Sequence, residues 1–75
     1  MNKLQKEHEK LIKFELSLNP NQSLLHLHKC LRRRNKELFN QRETLVRHLA
    51  FLEHDKYLRT KKIDNKVYVE VINNE

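Results

Sequence analysis

The chain has 75 residues, of which 37% are hydrophobic, 7% aromatic and 35% charged, with no glycine, no tryptophan and one cysteine. A chain this short buries only about 60% of its unfolded surface, which excludes two separate cores and leaves one small domain with a thin core of Leu, Ile and Val. Sixteen Lys and Arg against ten Asp and Glu, a formal net charge of +6, favour an anionic partner: nucleic acid before an acidic protein or a membrane surface.

The first helix is expected over about residues 3–18, "KLQKEHEKLIKFELSL", where Leu11, Phe14 and Leu18 stand at i, i+3 and i+7 and Leu4 lies one heptad earlier. "NPN" at 19–21 ends it, because Pro20 lacks an amide hydrogen and disfavours helical angles at Asn19. A second helix follows over about 23–36, with Leu24, Leu27 and Leu31 on one stripe that Leu38 would extend.

Asn40 and Glu43 have the spacing of a capping box, which predicts a third helix over about 41–54 beginning at Gln41. Leu45, Leu49 and Leu52 form its apolar stripe, and Val46 is expected to widen that stripe toward the core. The last element, about 57–72, reads as a hairpin: "YLRTKKI" and "KVYVEVI" flank Asp64 and Asn65, the non-glycine residues that best tolerate the positive φ of a tight turn. That turn predicts Lys62 opposite Val67, Thr60 opposite Val69, Leu58 opposite Val71, and Arg59 paired with Glu70.

Three helices and a hairpin, with the third helix running directly into the first strand, resemble the winged helix-turn-helix domains of small bacterial, archaeal and viral DNA-binding regulators. The resemblance is carried by residues 44–71, in which Leu45, Arg47, Leu49, Leu52, Glu53, Tyr57, Leu58 and the trailing Arg59 occupy the places of the family's recognition-helix pattern. Two departures stand out: the glycine that usually follows the recognition helix is Lys56, and the link from Leu31 to Leu45 is longer than the compact helix-turn-helix spacing. The resemblance implies an α+β fold, a three-helix winged helix-turn-helix with a C-terminal two-stranded β-hairpin wing. It also implies sequence-specific binding of double-stranded DNA in transcription regulation, with the third helix in the major groove, the wing on the backbone, and a homodimer on a palindromic site.

The charge pattern points to the same partner. Between residues 29 and 66 there are twelve basic residues against five acids. Arg42, Thr44 and Arg47 lie off the apolar stripe in the first two turns of the third helix, with Gln41 and His48 nearer its edge. These five are the candidates for groove contact. Lys61, Lys62 and Lys66 near the hairpin tip, and Arg32, Arg33 and Arg34 at the end of the second helix, are candidates for phosphate contact. Each has a bland alternative: an arginine run also complements a helix C-terminus, and lysines on a hairpin also discourage edge-to-edge aggregation.

Other functions have less support. His26 and Cys30 share a helical face, but a structural zinc site takes four ligands and there is no second cysteine, so no metal or cofactor is expected, and Cys30 reads as a small, partly buried hydrophobe. The histidines read as helix-surface residues. No phosphate loop, nucleophile elbow or convergent catalytic set is present, so neither an enzyme nor a small-molecule site is expected. The lone cysteine excludes a disulfide within this chain, and the lack of a signal-peptide pattern or long apolar run makes a cytoplasmic, non-membrane setting the expectation. The rival reading is a winged-helix adaptor that binds protein without DNA specificity. Single-stranded or structured RNA is a weaker reading, since only Tyr57 and Tyr68 stand near the basic region as stacking platforms. Ile12, Phe14 and Leu16 cannot all face one core, which makes the first helix the expected dimer interface, with Phe51 a second possible contact.

Overall fold

A computed structural model describes the backbone of residues 3–72 and the side chains of residues 6–72. In chain order the elements are α1 (Lys3–Leu18), β1 (Asn21–Ser23), α2 (Leu24–Arg34), α3 (Arg42–His54), β2 (Leu58–Ile63) and β3 (Lys66–Val71). The fold is α+β: three helices packed on a three-stranded antiparallel sheet of order β1-β3-β2. The core draws Ile12 and Leu16 from α1, Leu27 and Leu31 from α2, Leu45, Leu49 and Leu52 from α3, Leu58 and Val69 from the sheet, and Phe39 from the α2–α3 loop. None is more than 3% exposed.

The hairpin forms in the expected register, with Leu58, Thr60 and Lys62 opposite Val71, Val69 and Val67. Asp64 and Asn65 take φ values of 51° and 67°, the left-handed pair that a two-residue turn requires. The sheet is nevertheless three-stranded, not the two-stranded wing expected. Asn21, Gln22 and Ser23 pair with Glu70, Val69 and Tyr68, so "NPN" does more than stop a helix: it leads into an edge strand. The Val71 amide adds a bond to the Pro20 carbonyl at 3.0 Å. Ser23 then ends β1 and caps α2, its hydroxyl accepting from the His26 amide at 3.2 Å.

α1 presents a different face from the one its leucine spacing suggests. Ile12 and Leu16 are buried together with His8 and Glu15, Leu11 is partly buried against the core, and Phe14 and Leu18 stand 48% and 62% exposed. The side chain of Leu4 lies outside the described residues. Both stripes have helical periodicity, and polar partners decide between them. Glu15 forms an ion pair with Arg34 of α2, and His8 donates from Nε2 to the Leu38 carbonyl at 2.9 Å. Rotating α1 to bury Phe14 would break both bonds.

The long α2–α3 link is ordered by side chains. Asn35 ends α2, its Oδ1 accepting from the Leu38 amide at 3.2 Å, and the turn that follows drives Phe39 into the core. Burying Phe39 also withdraws backbone carbonyls from water, and such groups need replacement partners. His8 serves the Leu38 carbonyl, and His28 donates from Nε2 to the Phe39 carbonyl at 2.9 Å. The expected Asn40–Glu43 capping box does not form: Gln41 is the extended N-cap residue, without a side-chain cap bond, and α3 begins at Arg42. Val46 is 47% exposed and does not widen the core stripe; it borders a cleft between α3 and the hairpin instead.

At the other end of α3, Lys56 adopts φ 62°, where a glycine is usual. Its amide bonds the Glu53 carbonyl and the Tyr57 amide bonds the Leu52 carbonyl, both at 3.0 Å, which is the paired bonding of a Schellman motif. This reversal aims the chain from α3 straight into β2.

Candidate nucleic-acid interface

The candidate residues separate into those held by the fold and those left in water. Arg42 opens α3 and lines a cleft of about 490 Å³ with Asn65 and Lys66 of the hairpin turn and Leu25 of α2. The start of the third helix and the tip of the hairpin therefore border one concavity. Leu25 also borders a second, shallower cleft of about 410 Å³ whose walls include Lys29, Arg32, Arg33 and Lys36. The two together form a continuous cationic track from the hairpin turn, past the N-terminus of α3, along α2. Arg32, Arg33, Arg42 and Lys66 are exposed and make no ion pair among the described residues. Lys29 and Lys36 join the candidate set, since they line the same cleft as Arg32 and Arg33 and their spacing with them repeats the helical period.

Arg47 is exposed one turn further along α3, on the outward face it shares with Glu43, Ala50 and His54. Gln41 is exposed at the N-cap and no side chain caps the first turn, which leaves the positive end of the helix dipole beside Arg42. Thr44 is half-buried and contributes its carbonyl to the fold by accepting from His48.

Two candidates require correction. His48 is buried and cannot reach a groove: Nδ1 donates to the Thr44 carbonyl at 2.8 Å, and its ring stacks on His8 with centroids 4.3 Å apart and planes 8° from parallel. Arg34 is committed to Glu15, with its guanidinium 4.6 Å from the centre of the Phe14 ring. The triple arginine is thus divided, two residues facing water and one joining α2 to α1. The expectation of surface histidines holds for His26 and His54, which are exposed, and fails for the other three: His8 and His48 are buried and His28 is half-buried, each bonded to a backbone carbonyl.

The hairpin lysines differ by face. Lys62 stands opposite Val67 on the side toward the helices, whereas Lys61 and Lys66 lie on the other side. Lys61 also approaches Glu70 at 3.6 Å, and Arg59 bonds the same carboxylate at 2.7 Å. The hydrogen bond from Arg59 is the main reason the Glu70 carboxyl sits below the usual carboxylate range. Lys62 and Lys66 are the freer cations. Tyr57 packs against the core, burial pushes its phenol up, and Lys13 lies 5.0 Å from the ring centre, so it offers no open stacking face.

Cys30 Sγ lies 3.5 Å from His26 Nε2, and among the described residues no group of three or more His, Cys, Asp or Glu side chains is placed to hold a metal ion. No helix among them is long and apolar enough to cross a membrane. No family model, curated protein or solved structure matches the chain, so the functional reading rests on this geometry and its chemistry.

Proposed function

We propose that the protein is a small winged-helix regulator that binds double-stranded DNA, placing α3 in the major groove and the β2–β3 hairpin along the backbone. The observation that carries this reading is the shared cleft of Arg42, Asn65 and Lys66, which puts the uncapped start of α3 and the hairpin turn on one side of the molecule. A helix with its side chains is about 10–12 Å across and the major groove is about 12 Å wide. With its N-terminal end in the groove, α3 brings Arg47 toward base edges, where arginine bonds guanine bidentately. Gln41, Arg42, Lys62 and Lys66 meet the adjoining backbone, and Lys29, Arg32, Arg33 and Lys36 extend the contact along it. In this reading the three-stranded sheet forms the wing, and β1 braces it against α2.

The exposed Phe14 and Leu18 on α1 supply the contact for a two-fold homodimer on a palindromic site. The role is binding rather than catalysis.

Titration onto duplex DNA at several salt concentrations tests the reading. A protein making six or more phosphate contacts loses about three orders of magnitude or more in affinity between roughly 50 and 200 mM salt. A weak, flat response would reject it and leave the protein-binding adaptor in its place.

A further inference from the structure

Between α3 and the hairpin stem lies a cleft of about 230 Å³ whose walls include Leu24, Val46, Ala50, Val67 and Thr60. Val46 is 47% exposed although it is β-branched, apolar and one residue from the buried Leu45. No core segment of the described chain covers it. The setting is cationic: Arg47 follows Val46 in α3, Lys62 stands directly opposite Val67 across the hairpin, and Leu24 and Val67 also line the neighbouring cleft that holds Arg42 and Lys66. One acid, Glu53, borders the apolar cleft, and its carboxylate is turned to β2, accepting from the Thr60 amide at 3.4 Å and the Thr60 hydroxyl at 3.3 Å.

An apolar recess whose neighbours in α3 and the hairpin include Arg47 and Lys62 fits a polyanion that carries a small apolar group. Arg47 and Lys62 are exposed and make no ion pair among the described residues, so both are open to the charges of such a polyanion. In B-DNA the major-groove edges are polar except for the C5-methyl of thymine, which projects from the groove floor beside the O4 acceptor. We infer that the cleft between α3 and the hairpin stem is a thymine-methyl recognition site in which Val46, Ala50 and Val67 receive the methyl group while Arg42, Arg47 and Lys62 hold the strand on either side. The inference rests on the duplex-binding reading above and adds a base preference to it: the target carries thymine next to the position read by Arg47.

Sequences recovered from a random duplex library provide the probe. In the best-bound duplex, each thymine is replaced in turn by uracil, which removes only the methyl group. One or two positions should bind roughly fourfold more weakly, the value of one buried methyl-sized group. Val46→Ala should shrink that thymine-to-uracil ratio toward one while leaving the salt dependence of binding unchanged. Equal affinity for thymine and uracil at every position, or a ratio that Val46→Ala does not alter, overturns the methyl site and leaves duplex binding standing. Failure to bind any duplex overturns both.

Discussion

The two sides of this molecule use the same residue types for opposite ends. Where α1, the end of α2 and the 35–41 loop meet, His8, Glu15 and His48 are buried, and each is bonded to a named partner: a loop carbonyl, the Arg34 guanidinium, the Thr44 carbonyl. Around the start of α3 and the hairpin turn, Arg42, Arg47, Lys62 and Lys66 remain exposed with no ion pair among the described residues. Whether a charged or polar side chain works for the fold or for a partner depends on what stands within hydrogen-bond reach, not on its type. Arg33 and Arg34 make the point most sharply, being adjacent in sequence and assigned to different tasks.

Substitutions can break this contrast at several strengths. The largest effect is expected at Phe39, the side chain the loop exists to bury: Phe39→Ala should cost about 3–5 kcal/mol, read as a lower urea midpoint. Arg34→Ala leaves Glu15 buried without its cation and should cost about 1–3 kcal/mol. Arg47→Ala, the matching change on the other side, should move stability by no more than about 0.5 kcal/mol while weakening binding to a selected duplex by about 1–3 kcal/mol. If the two arginine variants exchanged these behaviours, the division of the surface would be wrong. Lys56→Gly removes the steric strain at φ 62° and should raise stability by about 1 kcal/mol.

The smallest effect is a pH dependence from Glu70. Its folded pKa is depressed, chiefly by the hydrogen bond from Arg59, so its contribution is complete above the ordinary carboxylate range and disappears as pH falls through the lower folded value. Comparing acid unfolding of the wild type with Glu70→Gln should show a slightly shallower acid limb in the variant, the stability difference being greatest near neutrality and closing as the pH falls through the folded pKa.

How far the sequence could be read depended on how local the determining chemistry was. The hairpin followed from its own residues, because Asp64 and Asn65 specify the turn and the turn specifies the register. The stripe of α3 was equally legible through Leu45, Leu49 and Leu52. β1 was not, since Asn21, Gln22 and Ser23 have no strand propensity and become a strand only because β3 offers them an edge. The face of α1 escaped for a similar reason: the choice is made by Leu38 and Arg34, which are 30 and 19 residues away from the side chains they hold. Among the candidate contacts, Arg42 and Lys66 could be named from the sequence, but only the folded chain brings them to one cleft. His48 was misjudged because its ring could as well have faced groove or interior, and the stacking partner that pulls it inward is on another helix.

β1 has a mechanical consequence beyond completing the sheet. It grips β3 only from Tyr68 to Glu70, so the ribbon is clamped on both edges near its root and held by its sister strand alone from Val67 to the turn. A beam fixed at one end is displaced most at its free end, and here that end carries Lys62 and Lys66. The root keeps the tip pointed at the opening beside Arg42, and the tip retains the play to settle against a surface whose contour varies from one site to the next.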